Sequence, residues 1–132
     1  MAEIIEIKTS KRIEFIDITY RLNTLIRSSG IKDGICFIHV PHTTAAITIN
    51  ENADPDVTND IISKINKLIP LSDSYAHIEG NSDAHIKASL FGQTLNLMIE
   101  GSKLLLGIWQ GVYFCEFDGP RARKVHVKFL GN

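Results

Sequence analysis

The chain has 132 residues, 44% of them hydrophobic, which is enough for one compact domain with a real core and too little for two ordinary ones. A formal net charge of −1 and a pI near 6.5 remove any general electrostatic reason to bind nucleic acid or an anionic membrane. No apolar run approaches the roughly 20 residues that cross a bilayer, and Met-Ala-Glu-Ile-Ile-Glu lacks a basic n-region, so the expectation is a cytoplasmic chain without a signal peptide.

Residues 3–8 and 11–16 alternate as strands do. Asp17 is placed to cap a helix over 18–29 whose stripe is Ile18, Leu22, Leu25 and Ile26, with Gly30 as the stop. Strands follow at 35–40 and 44–49, separated by Pro41. Asp54-Pro55 reads as a cap followed by proline in the first turn. The helix it opens is expected to bury Val57, Ile61, Ile65 and Leu68, with Ile62 and Ile69 beside them, and to stop before Pro70.

Residues 70–82 are polar and irregular. Asp83 is expected to cap a short helix from Ala84 to Phe91, closed by Gly92. The remaining strands read as 93–99, 103–109, 112–117 and 123–130, with turns at Glu100-Gly101 and Asp118-Gly119-Pro120. The pattern predicts one α+β domain over 1–132, with about eight largely antiparallel strands, two main helices and one short one. Cys36 and Cys115 lie in apolar runs outside any metal or redox spacing and read as buried free thiols.

Polar chemistry is crowded into His42–Asp56, His77–Lys87 and Trp109–Arg123, and the expectation is that these stretches meet in one site. Asn50, Glu51 and Asp54 stand where a strand ends beside a helix start, a frequent position for a ligand site, although Asp54 and Asp56 also suit helix stability alone. His126 alternates with lysines and should face solvent. His39 shares a strand face with Ile35 and Phe37 and reads as partly buried. His42, His77 and His85 belong to no apolar stripe. Imidazoles on separate segments can form a three-ligand metal site with an open position, or remain ordinary surface histidines. Asp83 and Lys87 are spaced to share a helix face. Gln110 and Glu116 interrupt apolar strands, and a buried Glu116 would tend toward a raised pKa. Arg121 and Arg123 offer forked donors suited to phosphate or carboxylate, or a solvated turn.

The runs HTTAAITINENADPDV, HIEGNSDAHIKASLFG and LGIWQGVYFCEFDGPRAR resemble the YjbQ family. The resemblance covers nearly the whole chain. It implies secondary thiamine-phosphate synthase activity, joining hydroxymethylpyrimidine diphosphate to hydroxyethylthiazole phosphate with release of pyrophosphate. It also implies a homotrimer with sites near subunit boundaries and a metal held by His42, His77 and His85. Asn50, Glu51, Asp54, Asp83, Lys87, Gln110, Glu116 and Arg123 fall at matching motif positions. On that basis Glu51, Asp83 and Glu116 are the expected catalytic groups. Asn50, Asp54, Lys87, Gln110, Arg121 and Arg123 are the expected binders of a small-molecule substrate. Imidazoles favour zinc or a similar divalent ion, while a diphosphate substrate would bring magnesium. Two other classes stay open: a metal-dependent hydrolase or lyase on a small phosphorylated substrate, and a non-catalytic trimer that binds a small molecule.

Overall fold

The computed structural model describes residues 2–132. Strands β1 (Glu3–Lys8) and β2 (Glu14–Asp17) precede α1 (Thr19–Ser29), and β3 (Asp33–His39) and β4 (Ala45–Glu51) precede α2 (Pro55–Leu68). Then come α3 (Ser82–Phe91), β5 (Thr94–Glu100), the two-residue β6 (Lys103–Leu104), β7 (Gln110–Glu116) and β8 (Ala122–Gly131). Every pairing is antiparallel, in a five-stranded sheet ordered β1-β8-β3-β5-β6 and a three-stranded sheet ordered β2-β7-β4. The expected α+β architecture is the one observed. No helix among the described residues is long and apolar enough to cross a membrane.

The small sheet is the middle layer. One of its faces sends Ala45, Ile47, Val112 and Phe114 against Ile5, Ile7, Cys36, Ile38, Val125 and Val127 of the large sheet, with Ile18, Leu22 and Ile26 of the α1 segment in the same core. Its other face packs Ala46, Cys115 and Phe117 against Ala84 and Ala88 of α3, beside Phe15 and Phe91. Burial on both faces explains why Gly-Val-Tyr-Phe-Cys reads as a continuous run without alternation. The two free cysteines are buried as expected.

Local chemistry moved several boundaries. The second strand begins at Glu14, because Arg12 turns inward to Asp83. Residues 103–109 hold only a two-residue strand, after which Gly107 donates its N–H to the Gln110 side chain. Asp17 serves α1 from one residue outside the cap, its Oδ1 accepting from the Thr19 N–H at 2.9 Å. Asp54 does cap α2, accepting from the Asp56 N–H. Asn81, not Asp83, stands at the cap of α3. The stripe expected to be buried on α2 is only half-buried at Val57, Ile61 and Ile65, and Leu68 is 65% exposed.

Candidate functional site

Three adjoining cavities run past the end of the small sheet where β4 begins and β7 ends. His77 and His85 line the first, about 340 Å³, with Tyr75 and Ile86. His85 also lines the second, about 490 Å³, with His39, His42, Ser89 and Gln93. His42 in turn borders the third, about 590 Å³, with Lys8, Lys124, Arg123 and Glu6. His85 and His42 are therefore the two shared walls of one trough.

Each imidazole is oriented differently. Pro41 ends the β3 run, and the half-buried His42 accepts the Lys124 N–H at Nε2, 3.0 Å away. That bond requires an unprotonated Nε2 and leaves Nδ1 available. Burial and the nearby Arg123 guanidinium lower the His42 pKa below its usual 6.5. His77 places Nδ1 at 2.8 Å from Ser82 Oγ. The His77 and His85 rings meet edge to face with centroids 5.3 Å apart.

Behind the trough lie two closed ion networks. Glu116, fully buried, is gripped by the Arg123 guanidinium through both oxygens and accepts further bonds from Thr9 Oγ1 and the Asp118 N–H. Arg123 also donates to the Thr44 hydroxyl and carbonyl. The network ties β7 of one sheet to β8 of the other. Burial alone would raise the Glu116 pKa, but the Arg123, Asp118 and Thr9 donors outweigh it and the net shift is downward, opposite to the raised value expected from burial. Glu116 is thus an ionised structural partner rather than a poised proton carrier. Gly119 leaves the necessary room: a Cβ there would meet Glu116 Cγ and Thr9 Oγ1, each at 2.8 Å.

The second network centres on Asp83, also fully buried. It accepts a bidentate pair from Arg12 at 2.9 and 3.1 Å and a bond from Lys87 Nζ at 2.9 Å. Lys87 spends another donor on Asn66 Oδ1. Burial opposes ionisation of Asp83, yet the two cations hold its pKa below the ordinary value. Lys87 and Arg123 are therefore committed inside the protein, and neither presents a free cation to a substrate. Arg121 is the more accessible arginine and is paired with Asp118.

The expectation that three stretches form one site fails within a single chain. Asn50, Glu51, Asp54 and Gln110 lie at the opposite end of the small sheet from His42, since Glu51 pairs with Gln110 while Ala45 pairs with Glu116. Six residue steps of strand separate the ends by about 20 Å. Asn50 and Gln110 there satisfy local backbone N–H groups. Nor do the three expected metal ligands converge: among the described residues, no three of His, Cys, Asp and Glu are grouped to hold one ion. In donor type the imidazoles fit zinc or a similar ion, but one chain supplies them two at a time, so a metal here would need donors from elsewhere.

Sequence reasoning also missed residues. His39 was placed toward the core; it is exposed and shares the cavity of His42 and His85. Its alternation with Cys36, Ile38 and Val40 was the available signal, because those three define the inner face. Lys8 and Lys124 reach the trough only through strand register, which no spacing reveals.

The whole chain from residue 3 to 132 matches the family described as UPF0047 protein YjbQ-like. The chain belongs to that family. It is 55% identical over 127 residues to UPF0047 protein MJ1081 of Methanocaldococcus jannaschii, covering 96% of this chain and 92% of that one. It is 46% identical over 132 residues to UPF0047 protein YugU of Bacillus subtilis, covering 99% and 100%. Among solved structures, a YjbQ/UPF0047 family protein of Clostridium acetobutylicum superposes with a TM-score of 0.94 at 54% identity, over 97% of this chain and 99% of that one. A protein of unknown function from Sulfolobus solfataricus reaches the same TM-score at 36% identity, over 100% and 97%. The family is thereby shown, and with it the fold.

Proposed function

We propose that the histidine-lined trough is an enzyme site for a small phosphorylated substrate, and that its reaction is the thiamine-phosphate synthase reaction implied by the family resemblance. The observation that carries this reading is the shared wall at His42. On one side stand His39 and His85; on the other stand Lys8, Lys124 and the Arg123 backbone segment. A phosphate can be neutralised at the cationic end while the remainder of the substrate lies among imidazoles. In the reaction, a carbon–nitrogen bond forms between the thiazole nitrogen and the pyrimidine methylene as the bond to the diphosphate breaks and pyrophosphate leaves. Lys8 and Lys124 would neutralise the leaving charge. His42 would offer Nδ1 to substrate while its Nε2 stays bonded to the Lys124 N–H.

A divalent metal, zinc or a similar ion, would be held through His42, His77 and His85 and would supply Lewis-acid charge stabilisation. Completion of that ligand set, and approach of the Asn50, Glu51 and Gln110 end, would come from a second copy in a homotrimer. Support for a subunit boundary near the trough comes from the uncovered apolar side chains of Leu68, Ile86 and Leu90 on α2 and α3. Two buried free thiols suit a reducing, cytoplasmic setting. The preference of imidazoles for ions that activate water favours a second reading, a metal-dependent hydrolase on a phosphorylated small molecule.

The test incubates untagged protein with both synthase substrates and either zinc or magnesium, and follows thiamine phosphate and pyrophosphate by mass spectrometry. Product from the parent that falls at least tenfold in both His42→Ala and His85→Ala supports the synthase. Phosphate release from single phosphorylated compounds supports the hydrolase. Binding without turnover in either assay sinks both. A solution mass of one chain rather than three, against 14.7 kDa per chain, would remove the trimer.

A further inference from the structure

The outer face of the five-stranded sheet carries a histidine pair of which one member, His39, also borders the trough, while the other, His126, does not. The inward positions of β3 and β8 are Cys36, Ile38, Val125 and Val127, all essentially buried. Alternation therefore turns His39 and His126 to the outer face. They are also direct register partners on adjacent antiparallel strands. Their rings stack with planes 19° apart and centroids 6.4 Å apart. Neither ring is hydrogen-bonded to any protein group among the described residues; His39 is exposed and His126 half-buried. Across the same row the neighbours are Ile4 on β1 and Thr94 on β5.

We propose that His39 and His126 form a cross-strand chelate for a borderline divalent ion such as nickel, copper or zinc, separate from any ion held by the trough. Directly opposed side chains have Cβ atoms about 4.5–5.5 Å apart on a rigid ladder, so most of the positional entropy of bringing two ligands together is lost on folding rather than on binding. Two imidazoles bind an ion at about 2.0–2.1 Å each, which needs donor nitrogens about 3–4 Å apart. With His39 exposed and His126 half-buried, rings whose centroids lie 6.4 Å apart reach that separation by rotating toward one another. Both rings must be neutral to bind. Lys124 and Lys128 flank His126 on its own strand, and Glu6 stands opposite Lys124 on β1. Thr94 provides a hydroxyl within the row. Two protein ligands leave the ion's other positions to water or to an incoming donor, so the site suits capture or exchange of an ion more than permanent structural storage.

His126 lies outside the trough, which makes its variant the decisive one. Untagged parent, His39→Gln, His126→Gln and the double variant are titrated with Ni²⁺ by calorimetry, with far-UV circular dichroism to confirm the fold at these solvent-facing positions. One Ni²⁺ equivalent per chain should weaken at least tenfold in each single variant, and the double should lose less than the sum of the two single losses, because the pair acts as a unit. His126→Gln should leave any trough-bound ion in place, with His42→Ala giving the reverse pattern. A His126→Gln protein that binds all Ni²⁺ with parental affinity would overturn the proposal. So would two losses that add independently, which would mean two separate single-imidazole contacts.

Discussion

Replacing Glu116 by Gln tests whether the buried ion pair is structural. The substitution keeps the shape and removes the charge, so Arg123 is left as a guanidinium 4% exposed and without its counter-ion. Breaking a buried pair by removing one partner costs about 3–5 kcal/mol. For a chain of this length, with about 2.1 cal/mol/K of unfolding entropy per residue, that corresponds to a fall in Tm of about 10–20 °C. Thermal unfolding followed by circular dichroism, with urea titration alongside, measures it. The companion double variant Glu116→Met with Arg123→Met removes both charges and should recover most of the loss, because the cost lies in the uncompensated charge. A Glu116→Gln protein whose Tm stays within about 3 °C of the parent would refute the structural assignment. Loss of activity at unchanged stability would restore Glu116 as a proton carrier. The pH dependence has a definite sign. The folded pKa of Glu116 is held below the ordinary 4.5, so its stabilisation is full above that value and disappears as pH falls through the lower folded pKa. Asp83 acts in the same direction, and the parent should show an acid-side stability loss that Glu116→Gln reduces.

Three further outcomes follow from individual groups. Asp83→Asn leaves Lys87 and Arg12 facing a neutral amide and should destabilise by about 3–5 kcal/mol in urea, with Lys87→Met in the same background restoring part of it. His42 should titrate by NMR with a midpoint below 6.5 and show the Nδ1–H tautomer when neutral, since Nε2 accepts the Lys124 N–H; a midpoint above 6.5 would contradict its burial beside Arg123. Burial pushes the Cys36 thiol up to about 12 and raises Cys115 well above its ordinary value, so a thiol reagent at pH 8 should label neither in the native protein and both after denaturation.

Much of the architecture was legible because it depends on local periodicity. The stripe of α1, the Asp54-Pro55 entry to α2 and the uninterrupted apolar run of β7 each state how many faces are buried. Failures came where a residue's partner lies far along the chain. Asp83 has the composition of a helix cap, yet Arg12 and Lys87 draw it into the interior. His39 was misplaced because the choice between two strand faces depends on which one meets the second sheet.

The candidate site divides in the same way. Residue types alone determined that imidazoles, amides and carboxylates gather in three short stretches, and the runs that contain them carry the family resemblance. Only the tertiary structure decided which of those groups can meet. Strand β4 holds its two ends about 20 Å apart, so Asn50 and Glu51 cannot join His42 in one chain however close they stand in sequence. Register decided the rest, bringing Lys124 to His42 and His126 to His39. Pairing across a sheet is set by hydrogen bonds and by burial of the facing layer, and both are properties of the assembled fold.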